Sequence, residues 1–363
     1  MTYREDIVSL ARELERLKAS NVDVVAATKD IEAVVPPASE QKIVLNEQPS
    51  MPRQLPNQVH LQIKNYGSYP LTHHGSLQLA DKCGIPRKYY ESMIEAGMVN
   101  LTAENVNAWL SKQSDRRLVR IADGRIRALL SDRYRALDNY DLAMLTMERA
   151  KGHNATVQRC DLTETRMYLK FVVPHYREEI KAGDPVVPGL VVSNSDVGDG
   201  AFRVEPFVFR LVCSNGLIGE TSLYKVHLGQ RMEIGNLIYR DDTRKAVDEA
   251  LWKQCRDVID STFNREVLRA FIQKLRKTQE LPIENPVEVV DVTATELTLS
   301  DEKKTDLLRY FSKEGDTVFG LVQGITQLAQ DFEAYEDQVR LERYAGEVLE
   351  QKVPHFESSK SRT

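Results

Sequence analysis

The dipeptide Asp123-Gly124 lies between two alternating runs, LVRIA and RIRALL, and nothing else in the chain constrains the fold as tightly. Both residues tolerate positive φ, so the pair predicts a two-residue type I′ hairpin. The register follows from the turn: Ala122 faces Arg125, Ile121 faces Ile126, Arg120 faces Arg127, Val119 faces Ala128 and Leu118 faces Leu129. Alternation then gathers Val119, Ile121, Ile126, Ala128 and Leu130 on one face and Arg120, Arg125 and Arg127 on the other. Two arginines directly opposed repel each other, so this register demands an anion.

The wider stretch sharpens that demand. From 116 to 135 seven arginines (Arg116, Arg117, Arg120, Arg125, Arg127, Arg133, Arg135) stand against Asp123 and Asp132, a local charge of +5 in a chain whose total is −5. With a sequence pI near 5.9, a coat for nucleic acid is excluded, while one basic site on an acidic body is not. The compensating anion is either a carboxylate of the protein, from Asp132 or the acidic 331–350 segment, or a phosphate, which the planar arginine fork grips bidentately. Aromatics lie beside the cations: Arg133, Tyr134, Arg135 and Tyr140 in SDRYRALDNYD, and Arg87, Lys88, Tyr89 and Tyr90 in PRKYYE. Single-strand binders use that interleaving, with cations tracking phosphates and rings stacking on bases. The predicted contact set is Arg120, Arg125, Arg127, Arg133, Tyr134, Arg135, Arg87, Lys88 and Tyr90.

Around the hairpin the patterning divides the chain. Residues 1–19 read as an amphipathic helix, free to clip a neighbouring subunit or to fold back, and 20–56, with Pro36, Pro37, Pro52 and Pro56 and little periodicity, as a linker or arm. Residues 57–235 read as an α+β core. Two short helices lie between 75 and 97, broken at Gly84 and Pro86; a third is capped by Thr102; another spans 139–152. Strands follow, forming an antiparallel meander over 186–229. Residues 236–352 read as helical, with one helix of about 35 residues from Asp241, a strand-like VEVVDVTAT, and a helix capped by Ser300; 353–363 is a disordered tail. The predicted fold is therefore α+β, a mostly antiparallel curved sheet packed by helices, with a helical C-terminal region.

Other chemistries find little support. Cys213, ending an apolar strand with His227 as its conceivable base, reads as a packed thiol. His73-His74 reads as a loop, and no third ligand stands at metal spacing. Asp196, Asp199, Asp241 and Asp242 fit turns and a helix start better than a cation site, although a nuclease assembled from Asp196, Asp199 and Asp241 is the ranking enzymatic alternative. No nucleotide-binding or zinc-hydrolase motif occurs, so neither a cofactor nor a metal is expected. With no long apolar run and no secretory h-region, no membrane partner is expected and the cytoplasm is the expected location.

The stretches GIPRKYYESMIE, RIRALLSDRYRALDNYDL, VSNSDVGDGAFRVEPFVFRLVCSNGLI, GDTVFGLVQGITQLAQ and ERYAGEVL, in that order over residues 70–350, resemble the phage- and plasmid-encoded family catalogued as domain of unknown function nine-three-two. The resemblance implies a mobile-element context and no agreed catalytic residue. The element order also looks broadly like the RecT/Rad-type single-strand annealing proteins, which hold DNA in a positive groove. Together these lead to the expectation of a non-enzymatic binder of single-stranded DNA, homo-oligomeric, promoting annealing in recombination. The alternative expectation is an oligomeric interaction protein whose arginine face meets the acidic 331–350 helix of a neighbour.

Overall fold

Three antiparallel sheets and the helices that cover them form an open α+β fold, as the patterning predicts. In the computed structural model, which describes residues 3–36, 58–132, 134, 137–212, 215–219, 225–226 and 241–350, the N-terminal part runs α1 (Tyr3–Ser20), β1 (Val22–Ala27), β2 (Ile31–Val34), β3 (His60–Ile63), β4 (Gly67–Pro70), α2 (His73–Cys83), α3 (Arg87–Glu95) and α4 (Val99–Leu110). The middle runs β5 (Arg116–Ala122), β6 (Arg125–Ser131), α5 (Asn139–Gly152), β7 (Thr156–Leu162), β8 (Met167–Val172), β9 (Glu178–Glu179), β10 (Pro185–Asn194), β11 (Phe202–Arg210), β12 (Gly216–Ile218) and β13 (Lys225–Val226). The rest is helical: α6 (Asp241–Thr262), α7 (Arg265–Lys277), α8 (Pro286–Glu296), α9 (Asp301–Glu314), α10 (Val318–Ala329) and α11 (Tyr335–Leu349).

The hairpin β5–β6 is the middle and edge of a three-stranded sheet, with β1 on its far side. Asp123 and Gly124 have φ of 50° and 68°, the positive values that the I′ turn requires. A second small sheet, β2–β3–β4, shares its core: Leu61 and Ile63 pack with Leu79, Tyr90, Ile94 and Val106 of α2–α4 and with Val119, Ile121, Ile126 and Leu129 of the hairpin. The main sheet has the order β12-β11-β10-β8-β7, with β9 added to β10 and β13 to β11. Its strands β8 and β10 approach so closely that a Cβ on Gly189 would lie 1.8 Å from the Phe171 carbonyl oxygen. One face of this sheet is covered by α1, α5 and α6 through Leu14, Leu142, Leu169, Leu190, Phe202 and Ile259. The opposite face carries α11 and, beyond it, α10, a helix apolar all round because it is buried all round.

Several elements differ from expectation. The predicted linker contains β1 and β2, paired to β5 and β3, and α1 folds onto its own chain with Leu10 and Leu14 buried. Thr102 is not a cap but an interior residue of α4, its hydroxyl donating to the Met98 carbonyl. His73 and His74 open α2 instead of lying in a loop, because Thr72 caps that helix through the Gly75 N–H. The long helix from Asp241 breaks at Asn264, which caps α7. VEVVDVTAT is helical: Asn285 and Glu288 bond reciprocally across a first turn opened by Pro286, and that cap outweighs the β-branched composition.

Candidate nucleic-acid interface

Arg120 and Arg127 of the hairpin are interior residues, and a single extra residue explains why. Ala122 and Ile121 pair with Arg125 and Ile126 as predicted, but a β-bulge at Arg127 then shifts the register, so that Arg120 faces Ala128, Val119 faces Leu129 and Leu118 faces Leu130. Arg120 and Arg127 are not opposed. Beyond the bulge the faces exchange: Leu129 joins Val119 and Ile121 in one core, whereas Ala128 and Leu130 join Leu118 and Val197 in another. Both faces of this sheet are covered, and the arginines lie inside with the second core.

Arg120 is 1% exposed. Its Nε donates to Asp23 Oδ1 at 2.9 Å, its Nη1 to the Asp196 carbonyl at 2.7 Å and its Nη2 to Asp138 Oδ1 at 2.6 Å. Arg127 grips the Asp196 carboxylate with both terminal nitrogens, each at 3.1 Å. Burial alone would lower the Arg120 pKa; the carboxylates of Asp196, Asp23 and Asp138 raise it instead, so the guanidinium stays charged. The anions demanded by the sequence are thus supplied by β1, by the residue preceding α5 and by the turn after β10. At the end of β10 Asn194 donates to the Leu137 carbonyl and to Asn139 Oδ1, and in the turn the Ser195 carbonyl accepts from Tyr134. A small pocket lined by Leu14, Leu17, Lys18 and Asn21 lies over the two arginines, so α1 is their outer cover.

The remaining predicted contacts do not converge. Arg125 is half-buried beside the turn. Tyr134 packs against the second hairpin core, and burial pushes its hydroxyl up to about 12. Tyr90 is fully buried, its hydroxyl oxygen accepting from Ser76, and burial raises it to about 12 as well, so it cannot stack on a base. Arg87 is exposed but holds Asp81 through Nε and Nη2, and Lys88 is exposed. Arg133 and Arg135 lie outside the described residues, as do Cys213 and His227. The acidic segment is also engaged within its own chain: Glu342 meets Lys170 in a buried pair, Glu350 meets Lys274, and Asp337 meets Arg340. Neither partner of the proposed trans pairing has its charge uncompensated at these positions. Asp196 and Asp199 face Arg127 and Arg166, and among the described residues no three His, Cys, Asp or Glu side chains gather as metal ligands.

One basic surface escaped the sequence reading. Helix α7 buries Leu268, Phe271, Ile272 and Leu275 and turns Arg265, Arg269, Lys274 and Lys277 to solvent, with Arg276 half-buried. The 3-10 turn Pro174–Tyr176 lies alongside: the Arg265 guanidinium sits 5.3 Å over the Tyr176 ring, which meets the His175 ring edge-on at 4.2 Å. Glu178 accepts from Arg269 and Arg276. Counting Arg177, six cations stand here against Glu178, Glu179, Glu266 and Glu350. The signal that would have found it is FNRE, an asparagine cap that starts a new amphipathic helix at Arg265.

Residues 128–226 match a family described as Domain of unknown function (DUF932). The matched segment starts on β6 at Ala128 and holds Asp138, Asn194 and Asp196, so it supplies the Asp138 carboxylate and the Asp196 carbonyl to an arginine, Arg120, that precedes it. No match was found among curated proteins, and none among solved structures.

Proposed function

We propose that the protein binds nucleic acid, with single-stranded DNA favoured, without catalysing a reaction on it. In this reading the contact surface is the outer face of α7 with the turn before β9, in place of the hairpin. The observation that supports it is the set of exposed cations Arg265, Arg269, Lys274 and Lys277 spread over the solvent side of one helix, beside a ring, Tyr176, already covered by a guanidinium. The cations would follow phosphates, and a base stacked on the exposed His175 ring would add about 1–3 kcal/mol. Strand annealing during phage or plasmid recombination in the cytoplasm is the process such binding would serve.

The test is fluorescence anisotropy of a labelled single strand at several salt concentrations, with a duplex control. Binding should weaken steeply with salt, and Arg265→Ala with Arg269→Ala should reduce the log–log slope by roughly 0.7 for each phosphate that is no longer neutralised. Absence of binding at low salt refutes the reading, and unchanged binding in the double variant removes α7 as its surface.

A further inference from the structure

Two arginines of α7 already hold an anion, and one carboxylate serves both. Arg269 and Arg276 stand two turns apart on one side of the helix, and Glu178 of β9 reaches between them. Its Oε1 accepts from Arg269 Nε and its Oε2 from Arg276 Nη2, each at 3.1 Å. The Glu178 side chain is 23% exposed and the two arginines 51% and 39%, so these pairs lie within reach of solvent and are weakly held. What surrounds Glu178 stays in place without its carboxylate. Arg276 also donates from Nε and Nη2 to the Glu179 carbonyl, at 3.1 and 2.6 Å, and the backbone of β9 is fixed by its pairing with β10, Glu178 opposite Val186. Only one side chain has to swing aside to leave two guanidinium groups around a vacated anion position.

We propose that Arg269 and Arg276 form a phosphodiester subsite, which a backbone phosphate of a single strand enters by displacing the Glu178 carboxylate. The proposal rests on the reading of α7 as the nucleic-acid surface, and adds to it a residue, Arg276, and a competitor, Glu178. A carboxylate and a phosphodiester offer arginine the same partner: two oxygens that share one negative charge and each accept an N–H. They differ in how they are held there. Glu178 is tethered by its own backbone and so has a high effective concentration against a lone anion from solution. A strand whose neighbouring phosphates meet Arg265 and Lys277, both exposed on the same helix, is tethered as well and competes on equal terms. Glu178 thus selects a polyanionic strand over free phosphate.

Anisotropy of a labelled single strand over a range of salt tests this in Glu178→Gln, which keeps the size of the side chain and removes its charge. Freed of its competitor, the subsite neutralises one more phosphate, so the log–log slope should steepen by about 0.7, which makes binding about fivefold tighter at about 0.1 M salt and leaves it equal near about 1 M. Glu179→Gln, at an exposed neighbour whose carboxylate holds no cation among the described residues, should shift the curve far less. Adding Arg276→Ala to Glu178→Gln should return the slope to that of the wild type. A Glu178→Gln curve superimposed on the wild type, an equal effect of Glu179→Gln, or a gain that survives Arg276→Ala would each overturn the subsite. Binding that responds to Arg265→Ala with Arg269→Ala but not to Glu178→Gln leaves α7 as the surface and removes the subsite alone, whereas a wild type and a Glu178→Gln protein that both ignore DNA at low salt remove both.

Discussion

Replacing Arg120 by methionine separates an interior arginine from a phosphate-binding one. The substitution keeps much of the side chain's length and removes the guanidinium, which is bonded to Asp23, Asp138 and the Asp196 carbonyl. Breaking a fully buried ion pair from one side costs about 3–5 kcal/mol. Here the loss is smaller, because the Asp23 and Asp138 side chains are 39% and 34% exposed and can rehydrate, and Asp196 keeps Arg127. The Asp196 carbonyl cannot rehydrate so readily, and an unsatisfied buried acceptor costs about 1–3 kcal/mol. Together these give about 2–4 kcal/mol. An arginine on an open surface would change stability by only about 0.5 kcal/mol. Urea unfolding monitored by circular dichroism measures the difference, and anisotropy below the transition should show DNA affinity within twofold of wild type. A variant of full stability with tenfold weaker DNA binding would refute the interior assignment.

Two further predictions concern the ionised groups. Lys170 and Glu342 are both about 3% exposed at the side chain, between β8 and α11, and burial pushes Lys170 down and Glu342 up while each opposes the shift of the other. Lys170→Met or Glu342→Leu alone should cost about 3–5 kcal/mol in urea unfolding, and the double variant should recover most of it; additive losses would show that the two charges are not coupled. Burial raises the Asp260 pKa, but hydrogen bonds and charge from Arg149 and His153, which join α6 to α5, lower it below the ordinary carboxylate value. A depressed carboxylate contributes stability that is present above its unfolded pKa and lost as pH falls through its folded one. Asp260→Asn should therefore flatten the acid side of the stability profile between about pH 5 and pH 2, and an unchanged slope there would contradict the ion pair.

Much of the fold was legible because its signals are local. The Asp123-Gly124 turn, the breaks at Gly84 and Pro86, the span of α5 and the Ser300 cap each follow from neighbouring residues. Errors arose where two local signals competed. In residues 286–296 a β-branched composition pointed to strand while Asn285, Pro286 and Glu288 already spelled a helix start. At Asn264 the apolar period continues across the break closely enough to suggest one long helix, which hid the basic face of α7 inside a longer pattern.

The site was misread for a different reason, and the bulge at Arg127 shows it. A charge cluster on a strand indicates a binding surface only if that face of the sheet is open, and openness depends on parts of the chain far away in sequence. Asp23 reaches Arg120 from 97 residues before it and the Asp196 carbonyl from 76 after it. Neither distance leaves a trace in the hairpin itself. The repulsion between opposed arginines was a sound premise in the predicted register and correctly required an anion. One inserted residue removes the opposition, turns Ala128 and Leu130 toward the arginine side, and gives that side an apolar core of its own. A face that is half arginine and half leucine is then driven inward by its apolar half, and the arginines follow only because three aspartates meet them there. What remains available to a ligand is a surface whose cations sit opposite a buried stripe on a helix, as on α7, where amphipathicity itself guarantees that the charges face water.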